Sequence, residues 1–182
     1  MISPLPLSGK RALVTGGSRG IGAAIARRLV ADGANVAVTY ENSAEAAHAL
    51  AADLRAGGAR AAAIQADAGT PAGAAAAVAD AVEALGGIDI LVNNAGVARM
   101  GAFIDQALED LDDQIDVNVR GVLLTTQAAL RHLPDGGRII TIGSNVACRC
   151  PSAASPSTPP PSRRWNRSPA GWPASWDRDG SR

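Results

Sequence analysis

The sequence predicts a doubly wound α/β fold, a mostly parallel sheet with helices on both faces, cut short after about its fifth strand. Three observations predict it. From Lys10 onward, short apolar runs alternate with amphipathic stretches, as they do where parallel strands are joined by crossover helices. Runs such as "DILVN" and "RIITI" are predominantly apolar instead of alternating, which fits strands covered on both faces. Glycines close each amphipathic stretch, as helix stop signals do.

Taken in order, the first strand is Arg11–Thr15, followed by a glycine-rich turn and a helix over Ile21–Ala31 that stops at Gly33. A second strand, Asn35–Tyr40, leads to a helix over Ala44–Ala56 ending at Gly57-Gly58. The third strand is Ala61–Ala66. The stretch "GTPAGAAAAVADAVEAL" after it is low in complexity, but its high helix propensity makes Pro71–Leu85 a surface helix rather than a disordered segment. Gly86-Gly87 ends that helix, and Ile88–Val92 is the fourth strand. One long helix is expected over Leu108–His132, then Gly136-Gly137 and a fifth strand, Arg138–Ile142. The short connections require right-handed crossovers.

A chain of 182 residues, 47% apolar, with 17 basic and 17 acidic residues, can bury one sizeable core. Its Lys and Arg residues are scattered, so a nucleic-acid surface is not expected. The N-terminal "MISPLPLSGKR" has no apolar leader core and no apolar run reaches membrane length, so the expected location is cytoplasmic. Cys148 and Cys150 form a C-x-C with no second pair to complete a ligand set, and no metal site is expected.

"ALVTGGSRGIGAAIARRL" sets Gly16, Gly20 and Gly22 between the first strand and the first helix. Such glycines permit a tight turn, close backbone approach to a pyrophosphate, and close packing of the helix, whose N–H groups face the anion. A plain glycine-rich turn is the alternative, and the flanking strand and helix favour nucleotide binding over it.

"TGGSRGIG", "NNAG" at Asn93–Gly96 and "DVNVRG" at Asp116–Gly121, each on its expected element, resemble the short-chain dehydrogenase/reductase family. The resemblance spans about Leu7 to Ala147, and its finer likeness is to 3-oxoacyl-[acyl-carrier-protein] reductases. It implies a Rossmann-type dinucleotide-binding domain over residues 1–147, with 148–182 an irregular tail. It also implies that Ser18, Arg19 and Ile21 hold phosphate and ribose oxygens, and that Asp67, with Ala68 alongside, meets the adenine. Asn94, Ala95 and Gly96 would line the ribose wall. A turn-forming role remains open for Asp67 and a turn pair for Asn93-Asn94. Asn118 sits in a helix, where propensity disfavours Asn. The resemblance implies that it bends the helix and holds a proton-relay water. Ser144 matches the family's catalytic serine, which binds the substrate carbonyl oxygen; by itself it would read as a turn residue.

Cofactor choice turns on "VAVTYENS". An acidic residue at the end of the second strand would hold a ribose 2′-hydroxyl and repel a 2′-phosphate. Tyr40 occupies that position, Arg19 supplies positive charge, and Asn42 and Ser43 resemble a phosphate-binding loop, while Glu41 points the other way. NADP(H) is favoured and NAD(H) remains possible.

The resemblance requires a Tyr-x-x-x-Lys pair about a dozen residues beyond Ser144, the Tyr as proton donor and the Lys lowering its pKa. The chain has one Tyr, Tyr40, and one Lys, Lys10. "SPSTPPPSRRW" stands in the pair's place, and three successive prolines cannot be helical. Shifting the reading frame, so that each codon takes the third base of one residue and the first two of the next, permits "VYSATKSAVESFTRGLARELGPR" from Pro156/Ser157 onward. Tryptophan has a single codon, so the shifted residues after Trp165, Trp172 and Trp176 are fixed as Glu, Ala and Gly, all suited to that helix. A frameshift between about Ser144 and Pro156 is therefore expected. The resemblance implies an oxidoreductase passing hydride between NADP(H) and a carbonyl or secondary alcohol, on a small-molecule or acyl-thioester substrate. As written, the chain is expected to be inactive. A catalytically silent nucleotide-binding remnant, or a non-functional product, is the alternative. The family's homotetramer is doubtful for a chain whose Leu123, Leu124 and Leu130 lose the cover of a partner helix.

Overall fold

A computed structural model describes residues 5–99 and 103–144. The tail 148–182, with Cys148, Cys150 and the position of the missing Tyr-Lys pair, lies outside the described residues. The chain divides into two units, Met1–Gly143 and Ser144–Arg182, and Ser144 alone is described in the second.

The first unit is a five-stranded parallel sheet in the order β3-β2-β1-β4-β5. Its elements are β1 (Arg11–Val14), α1 (Gly20–Ala31), β2 (Asn35–Tyr40), α2 (Ala44–Ala56), β3 (Ala61–Gln65), α3 (Pro71–Leu85) and β4 (Ile90–Asn93). After a short 3₁₀ turn at Phe103–Asp105 come α4 (Leu108–Ile115), a π turn (Asp116–Arg120), α5 (Gly121–Ala129) and β5 (Arg138–Thr141). Strand periodicity divides the core. Ala12, Val14, Val36, Val38 and Val92 pack with Ala23 and Ala26 of α1 and Leu50 and Leu54 of α2 on one face. Leu13, Ala37 and Leu91 pack with Val78, Ala81 and Leu85 of α3 and Ala129 of α5 on the other. Successive residues point to opposite faces, so both faces of β1, β2 and β4 are dry and the doubly wound architecture follows.

Two expectations need correction. The stretch Leu108–His132 is not one α-helix. It is α4 and α5 joined through a π turn, and regular helix stops at Ala129. "RIITI" is not buried on both faces: every residue of β5 is exposed. Neither core cluster includes a residue of β5, so its faces lack the helix cover that β1, β2 and β4 have, and among the described residues β5 ends the strand order beside β4. Exposure of Leu123 and Leu130 matches expectation, with Leu124 half-buried.

Candidate nucleotide-binding cleft

The chain winds outward from β1 through β2 to β3, then α3 carries it back to β4 on the other side of β1. Loops leaving the C-terminal ends of β1 and β4 therefore diverge, and a crevice opens between them, where ligands of open α/β sheets bind. A cavity of about 340 Å³ lies there, walled by the loops after β1, β2, β3 and β4. It brings together Gly16, Ser18, Arg19, Ile21, Gly22, Tyr40, Asn42, Ser43, Ala68, Asn94, Ala95 and Gly96. Gly20 and Asp67, also expected there, are not among its lining residues.

Hydrogen bonds fix the loop after β1 on two sides. The Thr15 hydroxyl accepts from the N–H groups of Asn94 and Ala95, both at 3.0 Å. The Asn94 amide donates to the carbonyls of Thr15 (2.9 Å) and Gly16 (3.0 Å). From the β2 side, Thr39 Oγ1 accepts from Gly16 N at 3.0 Å, and the Thr39 carbonyl accepts from Gly17 N at 2.9 Å. Gly16 has φ +61°, and a Cβ there would sit 2.8 Å from Ala95 Cα, so the tight turn and the close approach both require glycine. Gly22 carries the packing: a Cβ on it would lie 2.5 Å from Asn94 Nδ2 and 2.6 Å from the Gly16 carbonyl oxygen.

α1 begins at this loop with no side-chain cap and no acidic residue in its first turn. Its first N–H groups, which lack intrahelical acceptors, and the positive end of its dipole face the cleft. Arg19 lies at the same end, and Ile21, 65% exposed, offers an apolar contact at the rim.

The far end of the cleft is built by the end of β2. Ala66 N donates to the Tyr40 carbonyl at 2.8 Å, and Gln65 Nε2 to the Glu41 carbonyl at 3.1 Å. Tyr40 is almost buried, its hydroxyl 3.2 Å from Nε2 of His48 on α2 and the two rings edge-to-face at 5.6 Å. Glu41 lines the cavity with Asn42 and Ser43.

Asp67 takes the turn role left open for it: Oδ1 accepts from Gly69 N at 2.8 Å and its carbonyl from the Thr70 hydroxyl at 3.3 Å. Asn118 occupies the π turn, and its amide grips the backbone of Val97, Oδ1 accepting from Val97 N (2.9 Å) and Nδ2 donating to Val97 O (2.8 Å). The next residues are held likewise, since Gln114 Oε1 accepts from Arg99 N and the Arg99 guanidinium pairs with Asp110 and Asp113. Gly121 lets the helix come close to the loop after β3, because a Cβ there would be 2.2 Å from the Ala68 carbonyl oxygen. Ser144 is exposed and follows β5 by three residues.

The Arg11–Asp89 pair lies at the opposite end of the sheet. Side-chain hydrogen bonding from Arg11 holds the Asp89 carboxyl below its ordinary range, against the opposing effect of burial, and raises Arg11 in turn. Among the described residues there is no cluster of three potential metal ligands, and no helix is long and apolar enough to cross a membrane.

Sequence reading missed Thr15, Thr39, Val97 and Val117. Thr15 directly follows β1 and Thr39 is the penultimate residue of β2, both after apolar runs, and a polar residue at that point is the signal that could have identified them as loop anchors. Val97 and Val117 carry no such mark.

The family model described as short chain dehydrogenase matches residues 10–156. Versicolorin reductase 1 of Aspergillus parasiticus is 46% identical over 142 residues, 78% of this chain and 54% of that protein. A solved short chain dehydrogenase from Burkholderia cenocepacia in complex with NADP is 59% identical, with a TM-score of 0.78, over 80% of this chain and 60% of that one. A blue fluorescent protein from a metagenomic library, solved in complex with NADPH, is 52% identical, with a TM-score of 0.76, over 79% of this chain and 59% of that one. The chain spans about half the length of the curated relatives it matches.

Proposed function

The chain belongs to the short chain dehydrogenase family, and from that premise we propose that its cleft binds NADP(H) for reduction of a carbonyl or oxidation of a secondary alcohol. The observation that carries the proposal is the glycine cradle at the uncapped start of α1, with Arg19 beside it. Its donor set suits an anion: backbone N–H groups, a helix N-terminus and one guanidinium converge where a pyrophosphate would lie. Ser18, Arg19, Gly20 and Ile21 would hold the phosphates, and Asn94, Ala95 and Gly96 the ribose wall. Ala68 and Asp67 would flank the adenine, with Asp67 using the carboxylate oxygen not given to Gly69. Tyr40 in place of an acid, with Asn42 and Ser43, supports NADP(H) over NAD(H), as do the NADP and NADPH named in the two similar solved structures. When bound, the cofactor supplies or accepts the hydride.

In this reading Ser144 donates a hydrogen bond to the substrate carbonyl oxygen. Asn118 is a positioning residue: with its amide committed to Val97, its backbone at the π turn is the group left to hold a relay water. The proton donor and its activating cation are the Tyr and Lys of the shifted frame, and the family match ending at residue 156 supports a loss of frame before them. The 182-residue chain is thus a nucleotide binder without turnover, residues 1–147 being its dinucleotide-binding domain and 148–182 its out-of-frame tail. The frame-corrected chain is a cytoplasmic reductase of the 3-oxoacyl type, forming the family's homotetramer. Assaying NADPH oxidation by both chains with a 3-oxoacyl thioester tests this. Turnover is expected of the corrected chain alone, and robust turnover by the 182-residue chain would overturn the proposal.

A further inference from the structure

The nucleotide reading gives no part to His48, yet His48 holds the one side chain placed where an acid would select against a 2′-phosphate. Tyr40 is 8% exposed, and its part-buried hydroxyl gains from a hydrogen-bond partner. His48 Nε2 provides it at 3.2 Å, and the imidazole adds an edge contact to the ring. Both backbones are anchored. On the strand side, Gly16 and Gly17 hold Thr39, Ala66 holds the Tyr40 carbonyl and Gln65 holds that of Glu41. On the helix side, the buried Ala47, Leu50 and Ala51 seat α2. With these backbones anchored, the Tyr40 side chain can respond by rotation, and the open space beside it is the cleft it lines.

We propose that His48 is a specificity-positioning residue. By engaging the Tyr40 hydroxyl it keeps the ring against α2, so that the end of the cleft between Arg19 and Ser43 stays open to a ribose 2′-phosphate. Without the imidazole, the hydroxyl turns toward water and the ring swings into that space. The inference rests on the cleft's reading as a nucleotide site, and the nucleotide it concerns is the 2′-phosphorylated one.

Calorimetric titration of the full chain with NADPH and with NADH tests it, in H48A, H48Q, Y40F and Y40F/H48A. H48A should lower the NADPH-to-NADH affinity ratio about fivefold, the equivalent of one neutral hydrogen bond. H48Q, whose amide can meet the hydroxyl, should restore most of it. The decisive comparison is in the Y40F background, where no hydroxyl seeks a partner and loss of His48 should leave the ratio unchanged. A fivefold fall in that background too would show His48 acting on the nucleotide directly and would overturn the inference, as would an unchanged ratio in H48A. A wild-type chain that binds neither nucleotide overturns the cleft's reading itself. Thermal unfolding of each variant separates misfolding from altered recognition, and exposed His48 should be replaceable without loss of the fold.

Discussion

Gly22→Ala sets two effects of opposite sign against each other. Gly22 lies in the first turn of α1 and has no left-handed backbone to protect, so on helix propensity alone Ala should stabilise by up to about 1 kcal/mol. Packing opposes this. The added Cβ would lie 2.5 Å from Asn94 Nδ2, 2.6 Å from the Gly16 carbonyl oxygen and 2.9 Å from Gly17 Cα, about 1 Å short of ordinary contact. Asn94 could shift alone, but the other two atoms are backbone of the loop itself. To relieve the clash the loop must move, stretching the Asn94 bonds to Thr15 and Gly16, now 2.9 and 3.0 Å, each worth about 1 kcal/mol. The expected balance is a loss of about 1–2 kcal/mol, or about 2–8 °C in Tm at roughly 2–4 °C per kcal/mol for a chain of this size. The displaced N–H groups at the start of α1 should also weaken NADPH at least tenfold. Thermal unfolding with and without nucleotide measures both. A G22A chain more stable than wild type, with unchanged affinity, would show that the loop is not packed as described.

Asn94→Ala removes both bonds to the loop and should cost about 2 kcal/mol by urea unfolding, with weaker nucleotide binding. Asp89→Asn should cost about 1–3 kcal/mol near neutral pH, because the carboxyl accepts from Arg11 N at 2.9 Å and Arg11 Nε at 2.7 Å. Since the folded Asp89 pKa is lowered, its contribution is present above the unfolded carboxyl's value of about 3.9 and is lost as pH falls through the folded value. Stability curves of wild type and D89N should therefore converge only in acid. The 182-residue chain is expected to self-associate through β5, an edge strand among the described residues; Ile140→Lys should lower the mass measured by light scattering, and an unchanged profile would place the contact elsewhere.

The sheet was legible because burial on both faces writes itself into composition: "NVAVTY" and "DILVN" admit little else. Helices α2 and α3 agree with the sequence reading at both ends, where glycine, and for α3 also Thr70-Pro71, mark the boundaries. The π turn was not legible. An inserted residue leaves the polarity of Leu108–His132 almost unaltered, and the π turn coincides with a long-range grip, Asn118 on Val97, that no local pattern encodes. The hints were the out-of-place Asn and the resemblance, which implied a bend at Asn118, where the π turn lies. Strand β4 begins at Ile90 and not Ile88 because Asp89 is taken up by Arg11 across 78 residues. In the cleft, glycine positions were readable from spacing, whereas Thr15, Thr39 and His48 matter through partners that only the folded chain brings to them.

The account rests most on the cleft being a site for a 2′-phosphorylated dinucleotide, and calorimetric titration of the 182-residue chain with NADPH and NADH tests that directly. It predicts saturable binding of one NADPH per chain, tighter than NADH. Binding of neither would contradict the cleft's reading, and tighter binding of NADH would contradict the choice of cofactor and give the ribose role to Glu41.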